Sequence, residues 1–402
     1  MNVLVVGDGP EELVWGAWFS SHPDHSLLGI LGGYLASRVV NARFVADLDE
    51  GLALARLDLV IVGGPILARG EALRRCAAEG LAVICLHPPG DDSEAYYQVA
   101  LSREETGSVI IPYLPLRLHP GVAALRAGRE NGEIGTVRAL RHEISVEETD
   151  EDMARHIFPV AVDPIGALLG EIDSLTASGD PPGTTPELEL LVQLRSTGGD
   201  RAEIRIMSGP SEAFRLTLAG TLATLTLEYP SMIQGTSRLI HRSLSGPEES
   251  VTELPSWDPR AAIMQVLHEA LALREEPGRR APGPSLRDGT RAMELSEAVV
   301  RSLRKGRTID LHYEEISEEA VFKSIMTSTG CMLLLSILVV VPLALAGPAI
   351  GIPGSIYLAY AILPALVLFA LFQFLRLGIR TGRHLSPPVQ DDEGQAPHES
   401  RR

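Results

Sequence analysis

Gly7 and Gly9, separated by Asp8, stand directly behind the apolar run Val3, Leu4, Val5 and Val6 and ahead of Pro10, Glu11 and Glu12. Residues of these types in this order suit one kind of chemistry, the holding of a phosphate. Glycines let a backbone turn tightly and come close to a ligand. The first amides of a following helix, at the positive end of its dipole, then receive the anion. An unbroken run of β-formers suits a strand buried on both faces, and Pro10 is pre-set for the first helical position. Strand, glycine turn and helix together make the entrance of a dinucleotide-binding fold. Two parts of that entrance are missing. Glu12 stands where the third glycine of the fingerprint belongs. The next strand, over 26–30, runs into Gly32, Gly33 and Tyr34 without the acid that holds ribose hydroxyls. Asp8, Glu11 and Glu12 also bring carboxylates to the helix start, where they are expected to offset the dipole themselves, roughly 0.3–1 kcal/mol each.

The elements that must position this turn follow in a regular alternation. A helix is expected over 50–55, and strands over 57–62, 82–86 and 109–113. Helices are expected over 69–79, stopped by Gly80, and over 93–102. Gly64 and Pro65 follow one strand, His87 and Pro88 the next, and Arg117 and His119 the last. Alternating strand and helix is the signature of an α/β parallel sheet. After 121 the rhythm changes. A helix over 123–129 precedes strands over 137–145, 174–178, 188–195, 202–207, 214–218 and 223–229, then amphipathic helices over 263–273 and 290–303. This predicts an α+β unit on a largely antiparallel open sheet.

Composition narrows the class. The formal net charge of −17 argues against nucleic acid, which needs a basic patch. Cys76, Cys85 and Cys331 lack metal-ligand spacing and fit a reducing compartment without disulfides. From Ser324 to Leu375 the chain carries no charged residue, and the Gly- and Pro-bearing stretch 347–354 divides it into two apolar segments. A helix needs about 20 apolar residues to cross a bilayer, so 324–377 reads as a transmembrane helical hairpin. Lys323 before it and Arg376, Arg380 and Arg383 after it place both ends in the cytoplasm by the positive-inside rule. The expected division is a Rossmann-like domain over 1–120, an α+β domain over 121–315, a linker over 316–323, the hairpin, and a polar disordered tail over 378–402.

The residues in order resemble the glucose–fructose oxidoreductase/inositol dehydrogenase/MocA-like (Gfo/Idh/MocA) oxidoreductases. The matching pieces are 5–9, 58–65, 82–88, 131–137, 162–170 and 284–295, spread over roughly residues 1–315. The resemblance implies a Rossmann domain, an α/β second domain with an open sheet that could pair subunits into a homo-oligomer, and NAD- or NADP-linked hydride transfer on a sugar or cyclitol. It implies Gly7, Gly9, Gly64, Pro65 and His87 as the cofactor-binding set. It also shows where this chain departs from the family. His87 stands in the place of the lysine of the family's Glu-Lys-Pro motif. Of the Asp-x-x-x-His-x-x-Asp pattern only Asp163 remains, because Val160 replaces the histidine.

Hydride transfer from an alcohol needs a base within hydrogen-bond reach, and valine cannot take a proton. His156, about one helical turn before Val160, is the available substitute if the segment is helical, although Pro159 disturbs that geometry. His87, His156 and Asp163 are therefore the catalytic candidates. Arg117 and His119, at the domain junction, are candidates for substrate contact, with a junction salt bridge as the alternative for the arginine. Two functions stay open at this point. One is a membrane-anchored oxidoreductase acting on a sugar-like small molecule. The other is a pseudoenzyme keeping the same fold as a cytoplasmic binding or scaffolding module.

Overall fold

The computed structural model describes residues 1–311 apart from 34–36, 39, 147–151, 180–188, 210–212, 232 and 274–282, together with residue 342. The expected linker, hairpin and tail lie outside the described residues, apart from residue 342. Among the described residues no helix is long and apolar enough to cross a membrane. Met1–His312 forms one compact unit.

The unit opens with β1 (Asn2–Val6), α1 (Pro10–Ser21), β2 (Ser26–Leu31), β3 (Phe44–Val45), α2 (Leu48–Leu52), β4 (Leu59–Val62), α3 (Ile66–Ala78), β5 (Ala82–Leu86), α4 (Glu94–Thr106) and β6 (Ile110–Tyr113). The six strands are parallel in the order β3-β2-β1-β4-β5-β6. The order reverses between β1 and β4, which leaves a crevice at their carboxyl ends, the usual ligand position of such sheets. Val6 is in register with Val62, so the Gly7 turn and Gly63 emerge side by side.

β1 is apolar throughout because both its faces are covered. Val3 and Val5 pack in a core with Trp15, Phe19, Ile263 and Leu267, while Leu4 and Val6 pack with Leu73, Cys76, Leu286 and Met293. The last residues of each set belong to α8 (Pro259–Ala272) and α9 (Leu286–Lys305). Late helices thus return to cover the first sheet, a pairing that linear order does not announce.

Between them the chain forms α5 (Pro120–Glu130), β7 (Val137–Val146), α6 (Met153–His156), α7 (Phe158–Leu169), β8 (Ile172–Gly179), β9 (Glu189–Ser196), β10 (Arg201–Ser208), β11 (Ala213–Gly220), β12 (Ala223–Tyr229), β13 (Gly235–Ser243) and β14 (Glu249–Trp257), with β15 (Ile309–Asp310) following α9. These strands make a nine-stranded sheet, order β14-β13-β12-β11-β7-β10-β9-β8-β15. Its one parallel pairing is β7 with β10, and the rest are antiparallel. Alternate residues of β7 to β12 bury Leu140, Ile144, Ile204, Leu216 and Leu225 against Val122, Leu125, Val162 and Ile165 of α5 and α7. β13 and β14 were not foreseen. They lie at one edge of the sheet with few buried residues, so they lack the alternation that betrays a half-buried strand.

Candidate functional site

The glycine turn forms as the sequence requires. Gly7 has φ +114, a conformation that favours glycine, and Gly9 precedes α1 without any side-chain cap. Glu12 lies in the first turn of α1 and also bonds across the crevice. It is 3% exposed, and its Oε1 accepts a hydrogen bond from the Gly64 amide at 2.5 Å. A Cβ placed on Gly9 would stand 2.6 Å from Glu12 Oε2, and one on Gly63 would stand 2.6 Å from Glu12 Cγ. The carboxylate therefore fills the gap that glycines 7, 9, 63 and 64 leave open, and the paired glycines after β4 make its room.

The other two carboxylates are also engaged elsewhere. Asp8 reaches to the end of β2, where Oδ2 accepts from the Gly33 amide at 2.8 Å. An acid thus does reach the end of β2, supplied by the turn after β1 instead of by β2 itself. Glu11 pairs with the fully buried Arg260 of α8 at 3.3 Å, and Arg260 also donates to Gln234 at 2.6 Å. Burial raises the Glu11 carboxyl above its ordinary range, against the Tyr113 hydroxyl and Arg260, which pull it down. Each of the three acids at the helix start thus also makes a tertiary contact of its own.

Arg69 of α3 links the crevice to the end of β5. It donates to the Gly64 carbonyl at 2.9 Å and to the Pro88 carbonyl at 3.0 Å. The Gly64 peptide is so held between the Glu12 carboxylate and a guanidinium. His87, before a cis Pro88, is buried beside this cation, and burial followed by Arg69 lowers its pKa to about 3. The imidazole is neutral at physiological pH. Its Nδ1 is 3.0 Å from the Tyr96 hydroxyl, while Nε2 is buried with no partner among the described residues. Tyr96 was not anticipated, since nothing in its own neighbourhood of α4 marks it. Removing its hydroxyl leaves both ring nitrogens unbonded, so Tyr96→Phe should cost about 1 kcal/mol in denaturant unfolding. A variant as stable as the parent would show that the bond contributes nothing.

Asp163 and Arg117 are brought together, and they satisfy each other. The buried Asp163 accepts two hydrogen bonds from Arg117, one at 3.0 Å from Nε and a shorter one from Nη2. Arg117 Nη1 reaches Asp288 at 3.0 Å, and Asp288 itself closes the capping box with Ser285 at the start of α9. Burial raises the Asp163 pKa to about 6 although Arg117 pulls it down. Arg117 stays a cation: burial disfavours its charge, but Asp163 and Asp288 outweigh burial and raise its pKa.

The remaining histidines divide. The helix breaks at Ile157, between α6 and α7, so His156 ends one helix and Pro159 sits in the first turn of the next. His156 Nε2 faces Asp91 at 3.3 Å, in the loop that follows His87 and Pro88. His119 is no surface contact. It caps α5, accepting from the Gly121 amide at 3.0 Å, and its Nε2 lies 3.2 Å from Ser237 Oγ. Burial lowers its pKa to about 4. His142, not singled out by sequence, ties β7 to α7: Nδ1 donates to the Ala161 carbonyl at 2.8 Å, and Nε2 accepts from Tyr229 at 2.6 Å. Asp152 caps α6 by accepting from the Ala154 and Arg155 amides. No group of three or more metal-ligating side chains occurs among the described residues.

No family model and no curated protein matches the chain. Solved structures do. A myo-inositol dehydrogenase from Corynebacterium glutamicum aligns at 20% identity and TM-score 0.62, over 78% of this chain and 99% of that one. An oxidoreductase from Agrobacterium radiobacter, in complex with NAD+, L-tartaric acid and magnesium, aligns at 16% and 0.63, over 77% and 98%. A levoglucosan dehydrogenase in complex with NADH aligns at 15% and 0.65, over 78% and 100%. The chain shares the fold of these enzymes across both of its sheets.

Proposed function

We propose that this chain is a divergent Gfo/Idh/MocA-type oxidoreductase, taking NAD or NADP in the crevice between β1 and β4 and a sugar-like polyol beside it. The observation that supports this most is the strand order, with a Gly-x-Gly turn and a helix start without a side-chain cap at the point where the order reverses. The unbonded Nε2 of His87, at the end of β5, adds a polar atom of the kind a ligand would satisfy. These residues fit a dinucleotide, and Glu12 is the group that opposes its phosphates. When bound, the nicotinamide would supply hydride exchange. Gly7 and Gly9 would admit the phosphates, and Gly64 and Pro65 would line the nicotinamide half.

With the Tyr96 hydroxyl donating to Nδ1, His87 carries its proton on Nε2 and offers a neutral hydrogen bond to a ligand oxygen. It does not act as a cationic acid near pH 7. Asp163 is engaged by Arg117, so His156, oriented by Asp91, is the side chain of this segment left to accept a proton. Tethering by a hairpin over 324–377, with the folded unit in the cytoplasm, completes the proposal.

A second reading, a binding module without turnover, is favoured by one observation: the Asp163 carboxylate is already neutralised by Arg117 and its neighbour Val160 is inert. Titration of the full chain in detergent with millimolar NADH and NADPH, followed by absorbance assays with NAD and a polyol panel, separates the two. Saturable binding with turnover that His87→Ala and His156→Ala abolish supports the oxidoreductase. Binding without turnover supports the module, and no binding of either nucleotide overturns the oxidoreductase.

A further inference from the structure

The nine-stranded sheet turns one face to the core and leaves the other open, and its outward side chains are largely charged. Over much of that face arginines are answered by glutamates. Arg205 meets Glu189 at 2.7 Å, Arg215 meets Glu228 at 2.9 Å, and Arg242 meets Glu249 at 2.6 Å. Cross-strand pairs of opposite charge are the ordinary way such a surface is stabilised.

Four arginines break the pattern. Arg138 and Arg141 on β7, Arg195 on β9 and Arg201 on β10 are all exposed, and none has a hydrogen bond or ion pair among the described residues. Arg195 and Arg201 are direct register partners, so like charges stand opposite each other, an arrangement that destabilises a sheet. Glu203, in register with Arg141, forms no ion pair either. All four arginines line one cavity of about 460 Å³, with Glu203 its only acid, and Gln193, Thr176 and Thr308 supply neutral polar groups. The chain as a whole has a surplus of acids, with net charge −17, so a concentration of unanswered guanidinium groups in one cavity is the reverse of its average.

We propose that this cavity is a binding site for a phosphate-bearing ligand with at least two negative charges. Its volume lies within the range of small-molecule sites, about 300–1,000 Å³. Guanidinium forks recognise phosphate oxygens two at a time, and a multivalent anion placed between Arg195 and Arg201 removes the repulsion that the empty sheet carries. The ligand is either a soluble phosphorylated molecule or the headgroup of an anionic phospholipid. The site stands apart from the β1–β4 crevice and does not rest on the oxidoreductase reading.

The test uses the full chain in neutral detergent, titrated calorimetrically with inorganic pyrophosphate at low salt, with and without micellar cardiolipin, whose headgroup carries two phosphates. The R195Q/R201Q variant should bind pyrophosphate at least tenfold more weakly, while R215Q, on the same face, binds as the parent does. The double variant leaves the glycine turn intact, so any pyrophosphate held there persists and is counted separately. Its melting temperature should equal or exceed the parent's, because it loses a repulsion. Competition by cardiolipin identifies a headgroup, and its absence identifies a soluble ligand. Equal pyrophosphate binding by parent and double variant overturns the proposal. So does a change in sedimentation mass without anion binding, which would assign the arginines to a second copy of the chain.

Discussion

Glu12→Gly should tighten the binding of NADH or of ADP-ribose by about 100-fold, or about 2.7 kcal/mol. The parent holds a carboxylate against the Gly64 amide, inside the gap lined by Gly7, Gly9 and Gly63. A phosphate arriving at that gap meets both occupied volume and like charge. Unit charges about 4 Å apart near a protein surface repel by about 4 kcal/mol, and screening by water and salt reduces that figure. Glycine costs up to about 1 kcal/mol in a helix, which lowers the melting temperature slightly without bearing on affinity. Glu12→Gln separates the two causes. Glutamine keeps the volume and can still accept from the Gly64 amide, so a gain confined to glycine assigns the effect to space, and a gain shared by both assigns it to charge. If neither variant binds tighter than the parent, Glu12 does not stand in the ligand's way.

Much of this was legible because it is local. An unbroken apolar strand, a Gly-x-Gly turn and Pro10 are fixed by backbone sterics and burial, so β1, the turn and α1 follow from a dozen residues. The alternation behind them gave the parallel sheet for the same reason. What stayed hidden is tertiary. The sequence shows Glu12 displacing a glycine, but only the fold shows Gly63 and Gly64 across the crevice making its room. Arg117 and Asp163 lie 46 residues apart, and their mutual neutralisation follows from α7 packing beside the end of β6. The absence of an acid after β2 was read correctly along the strand, yet Asp8 reaches that place from the neighbouring turn. β13 and β14 escaped notice because an exposed edge leaves no alternating pattern to read.

Acidification from pH 6.5 to 4 should cost the folded unit roughly 5 kcal/mol of stability. His87, His119 and His142 are buried as neutral rings, with pKa values lowered to about 3, about 4 and about 4 by the loss of water. An unfolded histidine titrates near 6.5, so below that pH the unfolded chain binds protons that the folded one refuses. The stability these groups contribute is present above 6.5 and is lost as pH falls toward their folded values. Each costs about 1.4 kcal/mol per pH unit, less near the ends of the window, or roughly 8 kcal/mol for the three. Asp163 has the opposite sign. Its folded pKa is raised to about 6, so its protonation favours the folded state and returns roughly 3 kcal/mol over the same range. The net loss is a large share of the 5–15 kcal/mol typical of a domain. Urea unfolding at pH 6.5, 5.5 and 4.5 reads it directly. His142→Gln can keep the bonds to Ala161 and Tyr229 without a titrating ring, so its pH slope should be shallower by about one proton. Stability that holds steady or rises on acidification would show that the buried imidazoles do not stay neutral in the fold.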